Sequence, residues 1–103
     1  MFLIIRKYSG ATSVDEAIKR VEEGLAPHLG TTQGFVAYYA IKYEDGDIGS
    51  VTVYDSKENA EASAVDAIKW VKTNLSDILP NDPTIFRGEV VVHTSAKAAA
   101  TFA

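Results

Sequence analysis

Apolar and polar positions alternate along the chain in a pattern that switches twice between strand and helix. Phe2 to Tyr8 is dense in β-forming residues and is cut off by Ser9-Gly10, which predicts a first strand. Ser13-Val14-Asp15-Glu16 has the spacing of a capping box, with Ser13 accepting from the backbone and Glu16 reaching back. Val14, Ala17, Ile18, Val21 and Leu25 then recur at helical intervals with charges between them, and Gly30 supplies a stop. Beyond Gly34, Phe35 to Tyr43 predicts a second strand. Glu44-Asp45-Gly46-Asp47 is a hairpin signal, because Asp-Gly tolerates the positive φ angles of tight turns. Ile48 to Tyr54 returns as a third strand, antiparallel to the second.

Asp55 or Ser56 caps the next helix, with Glu58 completing a box with Asp55. Its apolar stripe is Ala60, Ala64, Ala67, Ile68, Val71, Leu75 and Ile78. Pro80-Asn81-Asp82-Pro83 ends it, since proline cannot continue the hydrogen-bond ladder. Ile85 to His93 predicts the last strand. The order is βαββαβ. The fold class is therefore α+β and ferredoxin-like, a four-stranded antiparallel sheet with two helices on one face. The domain is expected over 1–94, with 95–103 an alanine-rich C-terminal tail.

A chain of 103 residues, 47% hydrophobic and 23% charged, fits one globular domain rather than a disordered segment. The formal net charge of −4, with Lys and Arg scattered among acidic residues, argues against nucleic acid and anionic membranes as partners. The absence of cysteine excludes disulfides and thiolate chemistry and is compatible with a cytoplasmic protein. The apolar run at the N-terminus precedes its charges and is too short for a signal peptide, and no segment approaches the length of a bilayer span.

Helices cover one face of such a sheet, so the other must meet something. In the third strand Val51 and Val53 oppose Ser50, Thr52 and Tyr54. In the fourth, Phe86, Val90 and Val92 oppose Ile85, Arg87, Glu89, Val91 and His93. One set suits a core beneath the helices. The other mixes aliphatic, hydroxyl, aromatic and charged groups and suits an interface, which predicts a homodimer.

Gly34-Phe35 with Tyr38-Tyr39, Ser50 to Tyr54, Ala60 to Leu79 with Trp70-Val71, Pro80 and Pro83, and Gly88-Glu89-Val90 with His93 together resemble the dimeric α/β-barrel superfamily. That superfamily contains the antibiotic biosynthesis monooxygenases and the stress-responsive barrel proteins. The resemblance implies sheets paired in a dimeric α/β barrel and a pocket between sheet and helices. In the oxygenase members, Asn and Trp side chains orient a deprotonated substrate and oxygen, without metal or flavin. A haem-degrading branch adds a helical His as iron ligand; the second helix here has none, so that pattern is broken.

On this footing Trp70, Asn59, Asn74 and His93 are candidate catalytic residues, and Tyr38, Tyr54, Ser63 and Arg87 candidate ligand-binding residues. Asn59 and Trp70 are eleven residues apart, nearly on one side of the helix and about 16 Å apart along it. Trp70 is either one wall of a ligand pocket or a packing residue at the edge of the core. His93 is either a general base, with Arg87 to bind a carboxylate, or a strand-end hydrogen-bonding residue. His28 suits a helix cap. Neither metal-ligand spacing nor a phosphate-cradling loop is present, so no metal and no cofactor are expected. The sequence points to a small-molecule-binding or non-catalytic homodimer. The alternative is a cofactor-independent monooxygenase acting on an aromatic or polyketide-like molecule.

Overall fold

The computed structural model describes residues 1–96; most of the tail at 95–103 lies outside them. Four strands, β1 (Phe2–Tyr8), β2 (Phe35–Lys42), β3 (Ile48–Tyr54) and β4 (Thr84–Glu89), form one antiparallel sheet in the order β2-β3-β1-β4. The first helical stretch is continuous in backbone but built of three parts: α1 (Val14–Arg20), a π-helical turn (Val21–Leu25) and α2 (Ala26–Leu29). The second is α3 (Lys57–Asn74). Both stretches pack on the same side of the sheet. The fold is ferredoxin-like. Among the described residues no helix is long and apolar enough to cross a membrane.

Local chemistry sets the ends of these elements. The Asp45-Gly46 turn joins β2 to β3 with Gly46 at φ 92°, which only glycine adopts without strain. Ser56, not Asp55, caps α3, its hydroxyl accepting from the Asn59 N–H at 3.2 Å. Asp55 is engaged elsewhere, by the Asn59 side-chain amide at 2.8 Å. The capping box expected at Ser13 does not form: Ser13 makes no side-chain cap bond, and the Glu16 carboxylate accepts instead from Arg20 Nε at 3.0 Å. Strand β4 stops short of the expected end. Its partner β1 begins at Phe2, opposite Glu89, and one further bond joins Val90 N–H to the Met1 carbonyl. Past that point Val91, Val92 and His93 are in no strand and stand exposed.

The two faces of the sheet are the reverse of what a hydrophobic-inside rule suggests. The register sets Arg6 beside Ser50 and Ile85, and Ile4 beside Thr52 and Arg87, all on the helix side. Ser50, Thr52, Tyr54 and Arg6 are buried there. Val51, Phe86, Leu3, Ile5 and Tyr39 lie on the opposite face, where Phe86 is 62% and Tyr39 59% exposed. The mixed set therefore looks inward and the apolar set outward. Beneath the helices the core splits in two. A larger cluster gathers Tyr8, Val21, Leu25, Leu29, Leu75 and Ile78, and a smaller one joins Ile4, Tyr54, Ala60 and Ala64.

Candidate functional site

Polar side chains under a helical roof leave space, and a cavity lies there. Its floor is Arg6 and Tyr8 of β1, Tyr38 of β2, and Ser50 and Thr52 of β3; its roof is apolar, from Leu25 and Leu29 on one side to Ala67 and Val71 on the other. The inner volume is about 40 Å³, room for a few water molecules or one small functional group. Tyr8, Ile68, Val71 and Leu79 also line a groove of about 420 Å³ that runs outward between the end of α3 and β4, rimmed by Pro80 to Pro83. At the other end, a recess of about 10 Å³ reaches Ser63 and Ala60 under α3, again bordered by Arg6. Groove and cavity share Tyr8, Ile68, Val71 and Leu79 as walls, and cavity and recess share Arg6, Leu29, Thr52 and Ala67.

Arg6 is the unusual member. It is only 6% exposed, and its Nε finds no hydrogen-bond partner among the described residues. None of the ion pairs of the described residues includes it. Burial pulls the guanidinium pKa down, while Tyr8 and Tyr38 push it back up and Arg87 adds to the lowering. Arginine still carries its charge under such pressure. Burial acts the other way on the phenols: it raises Tyr38 to about 12, against the opposing pull of Ser50 and Arg6, and it raises Tyr8. At neutral pH both are protonated donors. Neither is a base.

The structure disperses the residues singled out in the sequence. Tyr38 lines the cavity and Ser63 the inner recess. Tyr54 is fully buried, its ring edge-on to Phe35 at 5.7 Å and its hydroxyl bonded to Thr32, and it serves the smaller core cluster. Trp70 is absent from the lining of the cavity. It packs against the π-helical turn, where a Cβ added to Gly24 would lie 2.7 Å from the indole Cζ2. Asn74 donates to the Trp70 carbonyl at 2.9 Å, and both border a shallow outer depression with His28. Asn59 is tied to Asp55 at the start of α3. Arg87 is exposed on β4, and His93 lies past its end.

No family model matches the sequence, and no curated protein matches it. Solved structures do. A protein of unknown function from Nitrosomonas europaea superposes with a TM-score of 0.75 at 13% identity, covering 92% of this chain and 93% of that one. A monooxygenase from the gene ActVA-Orf6 of Streptomyces coelicolor, in complex with the ligand nanaomycin D, gives 0.70 at 14%, covering 91% and 92%. A variant of SnoaB, a cofactor-independent oxygenase from Streptomyces nogalater, gives 0.64 at 11%, covering 93% and 96%. The fold is that of the antibiotic biosynthesis monooxygenases.

Within this ferredoxin-like fold, sequence reasoning passed over Arg6, Tyr8, Ser50 and Thr52. A signal for Arg6 was present. In βαββαβ topology the first strand is an inner one, so adjacent charges at Arg6 and Lys7 must point to opposite faces, one of them under the helices. Lys7 takes the outer side and pairs with Asp45 at 2.7 Å. Arg6 goes inside.

Proposed function

We propose that this chain is a small-molecule-binding homodimer, working in the cytoplasm, that takes its ligand in the cavity between sheet and helices. One observation carries this: the floor of the cavity presents Arg6, Tyr38, Ser50 and Thr52 where a sealed core presents aliphatic groups. Concave sites with apolar walls and a few convergent polar groups are the usual form of a ligand pocket. The outward apolar face supports pairing, since a second copy laid on Phe86 and Tyr39 would remove them from water. The acidic net charge disfavours nucleic acid and anionic membranes as partners.

The test is a nuclear magnetic resonance titration of the full chain with a panel of small aromatic compounds. Shifts at Tyr8, Tyr38 and Val71 are the expected result. Shifts confined to the outer depression around Trp70 and His28 would overturn the assignment.

A second reading, a cofactor-independent monooxygenase for an aromatic or polyketide-like substrate, gains from the same floor. A buried guanidinium would hold the anion that such a substrate must become before it gives electrons to oxygen. For an anthrone, the methylene becomes a carbonyl and the second oxygen atom leaves in water. Trp70 stands outside the cavity, so this reading expects turnover to be lost in Arg6→Met and kept in Trp70→Phe. Oxygen uptake with an anthrone decides it, and no uptake by the unmodified chain sinks it.

A further inference from the structure

We infer that the ligand of this cavity is an organic anion with a single charged oxygen centre, a carboxylate, enolate or phenolate, which the Arg6 guanidinium receives while an apolar body fills the groove toward Pro80 and Pro83. This rests on the cavity being a ligand site, and adds the charge and shape of what enters it.

A cation taken out of water needs an anion or a full set of acceptors, or the fold bears its desolvation uncompensated. Arg6 has neither. The groups whose charge bears on it are Tyr8, Tyr38, Tyr54 and Arg87, and no carboxylate is among them. Its Nε–H, a strong and directional donor, has no acceptor among the described residues. The side chain borders the cavity on one side and the recess at Ser63 on the other, while Nε itself lies buried at the root of the guanidinium.

The chemistry of the surroundings narrows the class. The inner space of about 40 Å³ admits one functional group, not a molecule. The Tyr38 phenol beside it is a donor and supplies no competing negative charge. Outside, the groove of about 420 Å³ has Ile68, Val71, Leu79, Pro83 and Ile85 as walls that suit a ring or an aliphatic chain, with Lys72, Ser76, Asn81 and Asp82 also bordering it. A bare inorganic anion would leave those walls wet. A neutral ligand would leave Arg6 unpaired.

The experiment uses the full chain at neutral pH with two probes of one shape, 2-naphthoate and 2-naphthamide, measured by calorimetry. The carboxylate is expected to bind about tenfold or more tighter than the amide, the range for a hydrogen-bonded buried charge. In Arg6→Met the preference should vanish while amide binding stays within about threefold of the parent. The unmodified chain gives an independent readout that needs no substitution in the central strand. The Arg6 Nε–H resonance should shift and exchange more slowly with 2-naphthoate and stay put with 2-naphthamide. Equal affinity for the two probes, or an Arg6 Nε–H that ignores saturating 2-naphthoate, overturns the inference yet leaves the ligand site standing. If neither probe binds and no cavity resonance moves, both fall.

Discussion

A single buried guanidinium on the first strand sets stability against binding. Replacing a buried, unpaired charge by an apolar side chain of similar length is neutral or stabilising by about 1–4 kcal/mol. Arg6→Met should therefore melt no lower than the parent, and chemical denaturation should show a gain, even as anion binding is lost. A clear loss of stability would mean that Arg6 has a partner in solution. Tyr38 makes a prediction in pH. Its phenol is held near 12 in the fold, chiefly by burial, against about 10 unfolded. The folded state thus keeps its proton longer. The stabilisation is complete below about pH 10 and is lost as pH rises through the folded value, an effect of about 3 kcal/mol. Urea denaturation between pH 9 and 12 should show that loss, reduced in Tyr38→Phe. Some should remain, because burial raises Tyr8 in the same direction.

The elements were largely legible in the sequence, and their failures have physical causes. Strands β1, β2 and β3 are punctuated by Gly10, Gly34 and Gly46, all at positive φ, so their ends announce themselves. The end of β4 is set by its pairing with β1, whose outermost pair is Phe2 with Glu89, which no local pattern records. Nor does periodicity reveal the π-helical turn. Its signature is Gly24, whose bare backbone lets Trp70 sit against the first helical stretch. Gly24→Ala should push the indole outward and cost about 1–3 kcal/mol, as overpacking does. A red-shifted tryptophan emission with a lowered midpoint is the expected outcome; an unchanged spectrum would show that Trp70 does not rest there. Because Trp70 is the only tryptophan, the signal is unambiguous. The same contact explains why a helical Trp that suggested a catalytic wall is instead engaged in joining α3 to its neighbour.

At the scale of the whole molecule, the inverted sheet is what the sequence concealed. Val51 and Phe86 carry the usual mark of interior positions, while Ser50, Thr52 and Arg6 carry the mark of surface. The assignment flips because the helix side encloses a cavity with a polar floor and the far side is an apolar sheet surface. Local rules fail where a site is built. If the far side meets a second copy, light scattering should report twice the 11.1 kDa of one chain, and Phe86→Glu should weaken association by about 2 kcal/mol or more. A single-copy mass for the parent chain at high concentration would end the proposal.

The position of β1 has a kinetic corollary. It leaves the ribosome before any other element, yet its neighbours in the sheet are β3 and β4, the latter starting only at Thr84. One edge of β1 can pair once β3 has been made, but the other stays open until β4 at Thr84–Glu89 has been synthesised. Such long-separation pairing slows folding. During that interval the adjacent cations Arg6 and Lys7 keep an otherwise greasy nascent segment hydrated and discourage it from annealing to a neighbour's copy.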